Sequence, residues 1–405
     1  MYDKISYMEP LLPAADSGLE DKAREIVARS GAIGGQLHPI SQRPVIDLLR
    51  LINSYYSNLI EGHSTHPVDI ERAMRHDYVD DPAKRDLQLE SIAHVNCQIQ
   101  IEERLQREPD LNVASSEFIC WMHKIFYDQL PVDLRKVTDE TTGEAFSVVG
   151  GELRQREVRV GRHVAPIAGA LTAFLDRFQG FYRSGSHHGI MPILAAAASH
   201  HRLMWIHPFL DGNGRVTRLY TDACFSRLPL PGYGLWNVSR GLSRRRNDYM
   251  AALTHGDATR RNDLDGRGNL SNEGLVRFCS FFCDVCLDQI DFMGGLLKLD
   301  DLLARIRGYV QLRGAKIAPA PKQGQAGLKP EAAYMLQEAV LRGEVARGDI
   351  IRVSGMAERT GRMLLGQLLE EGMLISDMPK GPVRIAFPTH VAGYLFPDLY
   401  PMQMV

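Results

Sequence analysis

One short stretch of the chain, residues 206–218, concentrates polar groups that could handle a phosphate. It reads Ile-His-Pro-Phe-Leu-Asp-Gly-Asn-Gly-Arg-Val-Thr-Arg. A histidine side chain ordinarily titrates near neutrality, so His207 could accept a proton as a general base, and the Asp211 carboxylate could hold a hard cation such as Mg²⁺. The backbone at Gly212, Asn213 and Gly214 can direct successive N–H groups at one anion. The stretch therefore predicts a phosphate-handling loop.

A helix that begins near Asn213 or Gly214 would strengthen this loop. Its free N–H groups and the positive end of its dipole would face the same anion. Arg215 and Arg218 lie three residues apart, so both guanidinium groups would reach the outer phosphates of a nucleotide. The competing interpretation is a Gly-rich connector between two helices that happens to hold charged residues.

The stretch resembles the signature of the Fic (Fido) family, HxFx(D/E)GNGRxxR, at every specified position. Fic proteins mostly transfer AMP from ATP to a Ser, Thr or Tyr hydroxyl of a target protein. The resemblance implies a mainly α fold, in which a helical core carries a β-hairpin called the flap. It also implies ATP as co-substrate, His207 as the catalytic base, Asp211 as the Mg²⁺ ligand, and Arg215 and Arg218 as phosphate ligands.

A second pattern lies 157 residues before Arg218, at the end of a helix predicted from Pro44 to Ile60 by its apolar spacing. The segment Ser57-Asn-Leu-Ile-Glu61-Gly62 is similar to the (S/T)xxxE(G/N) inhibitory motif of the Fic family. In that family the glutamate pairs with the second arginine of the core motif, which here is Arg218. An arginine fork held by a carboxylate is not free to bind a γ-phosphate. We therefore expect Ser57 and Glu61 to be inhibitory residues.

A change of periodicity marks the expected flap. Glycines bound an alternating run from Glu157 to Gly161, which predicts a short β-hairpin. It is similar to the family's GxxR…VxVG segment, which pairs with an extended target segment and closes over the nucleotide. The resemblance makes four residues of this run candidates for contacts with nucleotide and target: Val158, Arg159, Val160 and Gly161. Arg154 is expected to anchor the loop.

Tyr249 lies in a helix predicted from Ser239 to Leu253. It resembles the family tyrosine that can touch adenine, although the second tyrosine of that pattern is Met250 here. The expected contact with adenine therefore depends on Tyr249 alone.

Clustered histidines and cysteines raise the alternative of a metal centre. His200 and His201 point in different directions on a helix, and no carboxylate or cysteine is spaced to complete a site with them. Cys279, Cys283 and Cys286 have apolar neighbours and no second cysteine pair, which predicts buried thiols.

The sequence pattern of roughly the last hundred residues predicts a separate module. A linker rich in Pro, Lys, Gly and Gln, residues 315–329, precedes a helix at 330–342, a turn at 348–354, a helix at 356–371 and a hairpin at 374–387. This order resembles a winged helix. DNA binding through exposed Arg359 and Arg362 is one interpretation of this module, and self-association or target docking is the other. The near-neutral charge of the chain does not choose between them.

Composition sets the remaining limits. The 405-residue chain carries a formal charge of −2, so DNA binding would need a local patch. Six cysteines and an N-terminus without signal-peptide features predict a cytoplasmic protein, and no apolar run reaches membrane-spanning length.

We therefore expect an N-terminal helical region with the inhibitory helix at 1–110, a Fic core at 111–295, and a linker with a winged-helix-like domain at 296–405. The expected function is a protein adenylyltransferase that Glu61 inhibits. Three alternatives stay open: a Fic-type hydrolase that removes AMP, transfer of another group such as UMP or phosphocholine, and a DNA-binding regulator whose core senses nucleotide. A second copy of the chain, in a homodimer, is a candidate partner for any of them.

Overall fold

The computed structural model describes residues 2–14, 16–138, 143–322 and 324–401. It is mainly helical, as the sequence predicts. The helices are α1 Ser17–Gly34, α2 Pro39–Ile60, α3 Pro67–Met74, α4 Pro82–Arg107, α5 Ser116–Tyr127, α6 Leu171–Phe181, α7 Met191–Ile206, α8 Asn213–Arg227, α9 Ser239–Arg244, α10 Arg246–Gly256, α11 Asn272–Leu296, α12 Leu299–Gly314, α13 Ala332–Arg342, α14 Arg347–Val353, α15 Glu358–Glu370 and α16 Thr389–Leu395. In the part of the chain that the structure describes, no helix combines the length and apolarity needed to cross a bilayer.

The strands are short and antiparallel. They are β1 Lys136–Thr138, β2 Ala145–Ser147, β3 Arg159–Val160, β4 His163–Val164, β5 Glu344–Val345, β6 Leu374–Ile375 and β7 Val383–Ile385. β1 pairs with β2, β3 pairs with β4, and the other three form a sheet in the order β5–β7–β6.

The chain divides into two compact units. One comprises Met1–Arg29, Asn53–Tyr233 and Asn237–Gln289, and the other comprises Ser30–Ile52, Gly234–Trp236 and Ile290–Val405. The boundaries that we expect from the sequence, after residues 110 and 295, remain predictions.

The core of the first unit is the pair α7 and α8. α7 packs against α8 and α6, and α8 also packs against α4 and α5. The alanines at 195–198 of α7 are all buried, and their small side chains let the helices approach closely. α8 is buried on most of its surface, so the polar side chains that it carries need internal partners.

Two helix starts follow rules that the sequence displays. Ser115 caps α5, where its hydroxyl oxygen accepts a hydrogen bond of 3.1 Å from the N–H of Phe118. α4 begins at Pro82 after Asp81, whose carboxylate caps the free N–H groups of the first turn.

Three local expectations need correction. The helix predicted from Ser239 to Leu253 is broken at Arg245 into α9 and α10. The turn predicted at 348–354 is mostly the helix α14, in which Ile350 and Ile351 are buried. The hairpin formed by β1 and β2 was not predicted, because strands of three residues give too little periodicity.

The second unit includes α12 to α16 and the three-stranded sheet. α13 packs against α12, α14, α15 and β7, and α12 also packs against α16. The order along the chain is helix, strand, helix, helix, strand, strand over α13 to β7. The hairpin predicted at 374–387 corresponds to β6 and β7, where Leu374 lies opposite Ile385.

Candidate active site

His207 lies at the C-terminal end of α7 in a left-handed backbone conformation, with φ 49° and ψ 62°. Its N–H donates to the Leu203 carbonyl at 3.1 Å and so ends the helix. A residue other than glycine adopts this conformation at a cost of about 1 kcal/mol or more. The surrounding contacts must therefore hold the histidine in place.

Arg154 supplies those contacts. Its guanidinium donates to the main-chain oxygens of His207 at 2.8 Å, Arg156 at 2.8 Å and Pro166 at 2.5 Å. Its own N–H donates to the Pro208 carbonyl at 3.0 Å. Arg154 is buried and binds main-chain oxygens on both sides of the hairpin, which is the geometry of an anchor.

His207 is neutral at physiological pH. Burial, with smaller contributions from the charges of His163 and Arg154, lowers its pKa to about 3. The neutral imidazole has one ring nitrogen without hydrogen, which can accept a proton.

The loop after His207 is closed by Asn213. The side-chain oxygen of Asn213 accepts from the N–H of Phe209 at 2.9 Å, and its amide donates to the Phe209 carbonyl at 2.8 Å. The Phe209 ring is fully buried and stacks on His123, with 3.9 Å between ring centroids. Asn213 thus fixes the loop through its side chain, whereas the sequence had indicated only its main-chain N–H.

The first turn of α8 forms an anion cradle, defined here as Gly212, Asn213 and Gly214. Gly212 has φ 78°, and a Cβ at this position would lie 2.8 Å from Cε2 of Tyr127. A Cβ on Gly214 would collide with Oε1 of Glu61. The Glu61 carboxylate therefore lies directly against the helix end that attracts anions.

Glu61 also binds Arg218. Oε1 of Glu61 accepts from Nη2 of Arg218 at 2.5 Å, while Ser57 accepts from the same guanidinium through its hydroxyl at 2.8 Å and its carbonyl at 3.0 Å. Burial raises the pKa of Glu61, but the charges of Arg218 and Arg215 outweigh it, and the net pKa is lowered. Arg218 thus contacts both Ser57 and Glu61, and the Glu61 carboxylate is ionised.

Arg215 has two acidic partners. It forms an ion pair with Glu90, and its Nη2 lies 3.2 Å from Oδ2 of Asp211. Oε2 of Glu90 lies 2.6 Å from Nδ1 of His63. Burial lowers the pKa of Arg215 to about 10, which leaves the guanidinium charged at neutral pH.

Asp211 is the residue that fits a divalent cation. The Tyr127 hydroxyl donates to its Oδ2 at 2.6 Å, and Nε2 of His123 donates to its main-chain oxygen at 3.1 Å. The Tyr127 and Arg215 contacts of the carboxylate both use Oδ2, and 43% of the side chain is exposed. An oriented carboxylate open to solvent suits Mg²⁺, which keeps several of its waters.

The hairpin that we expect to be the flap is formed by β3 and β4, with Gly161 in the turn at φ 59°. Arg159, Val160 and Gly161 are exposed, and Val158 precedes the strand. Among the described residues, β3 pairs with β4 alone. Its outer edge is therefore able to pair with an extended segment.

Tyr249 lies away from the surface. Its ring is fully buried, and its hydroxyl lies 2.8 Å from Nε2 of His200. Nδ1 of His200 in turn lies 2.7 Å from the Thr221 hydroxyl oxygen, which donates its own hydrogen to the Thr217 carbonyl. The neighbouring Met250 is 37% exposed, so Met250 is the more accessible of the two.

The three cysteines of α11 are fully buried, and burial raises the pKa of each thiol. Protonated thiols in an apolar core agree with the structural role that we predict.

Sequence patterns did not indicate four polar residues that the fold brings to the site: His63, Glu90, His123 and Tyr127. His123 and Tyr127 lie four apart on α5 and so share one helix face, and this spacing is their only signal in the sequence. Glu90 and His63 lie in separate segments and become neighbours through folding alone.

Known proteins resemble this chain in the region of the site. Residues 114–224 match the family model described as Fic/DOC family. The chain is 35% identical over 209 residues to protein adenylyltransferase Fic of Drosophila grimshawi, which covers 48% of this chain and 38% of that protein. It is 33% identical over 125 residues to the protein of the same name from Culex quinquefasciatus, covering 31% of this chain and 24% of that protein. The chain thus spans well under half the length of these relatives.

Solved structures share the fold. A Fic family protein from Desulfovibrio desulfuricans G20 superposes with a TM-score of 0.50 at 17% identity, over 93% of this chain and 98% of that chain. Fic-1 of C. elegans superposes with a TM-score of 0.54 at 18% identity, over 70% of this chain and 73% of that chain. Residues 114–224, which contain the complete motif from His207 at the end of α7 to Arg218 in α8, are thus similar to the Fic/DOC family.

Proposed function

We propose that the protein is an adenylyltransferase that moves AMP from ATP to a hydroxyl group of a target protein. The observation that carries this proposal is the position of Glu61, whose carboxylate lies on the anion cradle of α8 and binds Arg218. A helix end that accommodates a carboxylate beside two arginines has the charge and space to bind phosphate oxygens. The relatives named protein adenylyltransferase Fic support AMP as the transferred group.

The proposed chemistry is an in-line displacement. The target hydroxyl oxygen forms a bond to the α-phosphorus as the bond from that phosphorus to the bridging oxygen of the β-phosphate breaks, and pyrophosphate leaves. His207 takes the proton of the hydroxyl, which its neutral state allows. Gly212, Asn213 and Gly214 donate N–H groups to the phosphates.

Arg215 and Arg218 would hold the β- and γ-phosphates. Asp211 would hold Mg²⁺, which neutralises charge on the phosphates when it is bound. Tyr127 and His123 orient Asp211 for that role.

Glu61 is proposed to inhibit the reaction in this conformation. Its carboxylate lies where a phosphate would approach Gly214, and it takes up a donor of Arg218. Two anions cannot share this position, so nucleotide must displace Glu61 or bind with its outer phosphates misplaced. Ser57 holds Arg218 through two hydrogen bonds of its own, which do not involve Glu61.

The test is transfer of label from α-labelled ATP with Mg²⁺ to the protein itself. We expect weak labelling of wild type, strong labelling of Glu61→Gly, an intermediate level for Glu61→Gln, and none for Glu61→Gly/His207→Ala. Equal labelling of wild type and Glu61→Gly would contradict inhibition by Glu61, and absence of labelling in every variant would contradict the transferase. UTP and CDP-choline in parallel reactions would reveal a different transferred group.

The C-terminal module is proposed to be a winged helix with DNA as its partner. The order of α13 to β7 supports the first part, and exposed Arg359 and Arg362 on α15 support the second. Arg362 is paired with Glu358, which leaves Arg359 as the stronger phosphate-contact candidate. A gel shift that Arg359→Ala weakens would support this proposal, whereas self-association without DNA binding would favour a homodimer.

A further inference from the structure

His163, in the return strand of the flap hairpin, has an acceptor at each ring nitrogen. Nε2 lies 2.9 Å from the main-chain oxygen of Trp205, and Nδ1 lies 2.9 Å from Oδ2 of Asp257. Burial raises the pKa of Asp257, but hydrogen bonds from His163 and His201 outweigh it and lower the pKa well below its usual range. The carboxylate is therefore ionised at neutral pH. Neither acceptor can donate, so both ring nitrogens of His163 must carry hydrogen.

His201 binds the same carboxylate in a different state. Its Nε2 lies 3.1 Å from the Leu253 carbonyl and 3.2 Å from Oδ1 of Asp257. Its Nδ1 lies 2.8 Å from Nη1 of Arg202, which can only donate, so Nδ1 accepts. His201 therefore carries one hydrogen and is neutral, and burial lowers its pKa in agreement with this state.

We infer that His163 is an imidazolium ion in the folded protein and acts as a charged clamp that holds the flap hairpin beside His207. His163 lies in β4, Asp257 ends α10, and Trp205 lies two residues before His207 on α7, so one side chain joins three elements. The strand pairing covers only two residues on each side, which gives little stability alone. The role of the hairpin as a flap depends on the proposed function, whereas the charge state does not.

The clamp also affects the electrostatics of His207. The centroids of the two imidazole rings lie 6.5 Å apart. Burial is the main cause of the low pKa of His207, and the charges of His163 and Arg154 add to it. Further ionisable groups near the clamp are Asp257, the neutral His201 behind it, and the buried Arg202 that donates to His201. Arg159 and Arg162 on the hairpin itself are exposed, and Nε of Arg159 donates to the Gly161 carbonyl.

The first test reads the protonation of His163 directly. In long-range ¹H–¹⁵N spectra of the free protein at pH 7, we expect both ring nitrogens of His163 in the protonated range and one unprotonated nitrogen on His201. Loss of signals in His163→Gln identifies the ring. Asp257→Asn should convert His163 to the singly protonated form, because the Trp205 carbonyl needs only one N–H, while His201 stays neutral. An unprotonated nitrogen on His163 in wild type would overturn the inference.

The second test measures whether His163 and Asp257 hold the hairpin in place. Hydrogen exchange of a peptide covering residues 157–165 should be about ten-fold faster in His163→Gln and in Asp257→Asn than in wild type. His188→Gln, an exposed histidine outside the hairpin, is the matched control and should exchange at the wild-type rate. Unchanged exchange in both clamp variants would overturn the inference. Neither measurement needs nucleotide or target, so a negative result here differs from failure of the transferase proposal.

Discussion

The carboxylate of Glu61 lies against Gly214 in the first turn of α8, so close that a methyl group on residue 214 would collide with Oε1. Glu61 ends one helical segment and Gly214 begins another, 153 positions later in the chain. Because glycine leaves this space free, a carboxylate can reach the N–H groups of the helix end and Arg218 at once.

Gly214→Ala should test this relationship through stability and activity together. The added methyl group must displace Glu61, so we expect a loss of about 1 to 3 kcal/mol in the free energy of unfolding. In a Glu61→Gly background the collision is absent and most of that loss should disappear. Labelling from α-labelled ATP should stay low in the double variant, because the methyl group still fills the anion cradle. Additive losses of stability from the two substitutions would contradict the contact.

His207 should be a position where stability and function conflict. Its left-handed backbone favours glycine. The free energy of unfolding of His207→Gly should therefore be about 0.5 to 1 kcal/mol higher than that of His207→Ala. Both variants should lack transfer activity, since neither carries a base. Urea denaturation of the pair measures the difference, and a more stable alanine variant would show that the strain is absent.

Asp222 should give the protein a distinctive pH dependence. Burial raises its pKa from 3.8 to about 6, although hydrogen bonds from Tyr233 and Asn53 lower it in part. The folded state then holds a proton that the unfolded state has released between about pH 4 and pH 6. The contribution of Asp222 to stability is complete below pH 4 and is lost as the pH rises through 6.

Comparison of wild type with Asp222→Asn isolates this effect. The difference between their free energies of unfolding should change by roughly 2 to 3 kcal/mol from pH 4 to pH 7, in the direction that favours the variant at higher pH. Asp133→Asn, an exposed carboxylate at a surface ion pair, serves as the control and should show no such change above pH 5. A constant difference between wild type and Asp222→Asn would rule out the raised pKa.

Tyr249→Phe should affect stability more than nucleotide binding. The substitution keeps the ring but removes a buried hydroxyl that is paired with His200, at a cost of about 1 to 3 kcal/mol. In a Glu61→Gly background, Tyr249→Phe should change the KM for ATP little. Met250→Ala should raise this KM if the exposed Met250 faces the adenine ring. A large rise in KM for Tyr249→Phe would instead support a direct nucleotide contact by its hydroxyl group.

Several parts of the fold were readable from the chain. The start of α5 at Ser116, the end of α2 at Ile60 and the start of α8 at Asn213 each follow from local rules of capping and apolar spacing. The break at Arg245 and the helix α14 did not follow, because the local pattern there is compatible with more than one structure and packing selects between them.

The sequence by itself determined the chemical groups: a base, a carboxylate, two arginines and a glycine-bounded turn lie within a dozen residues, and neighbours in the chain stay neighbours in space. Only the tertiary structure decided what each group contacts. The pairing of Arg215 with Glu90, the burial of Tyr249 and the double contact of His163 join residues from separate elements. Such contacts arise from how α4, α7, α8 and α10 pack, and side-chain packing over long chain separations leaves no local pattern to read.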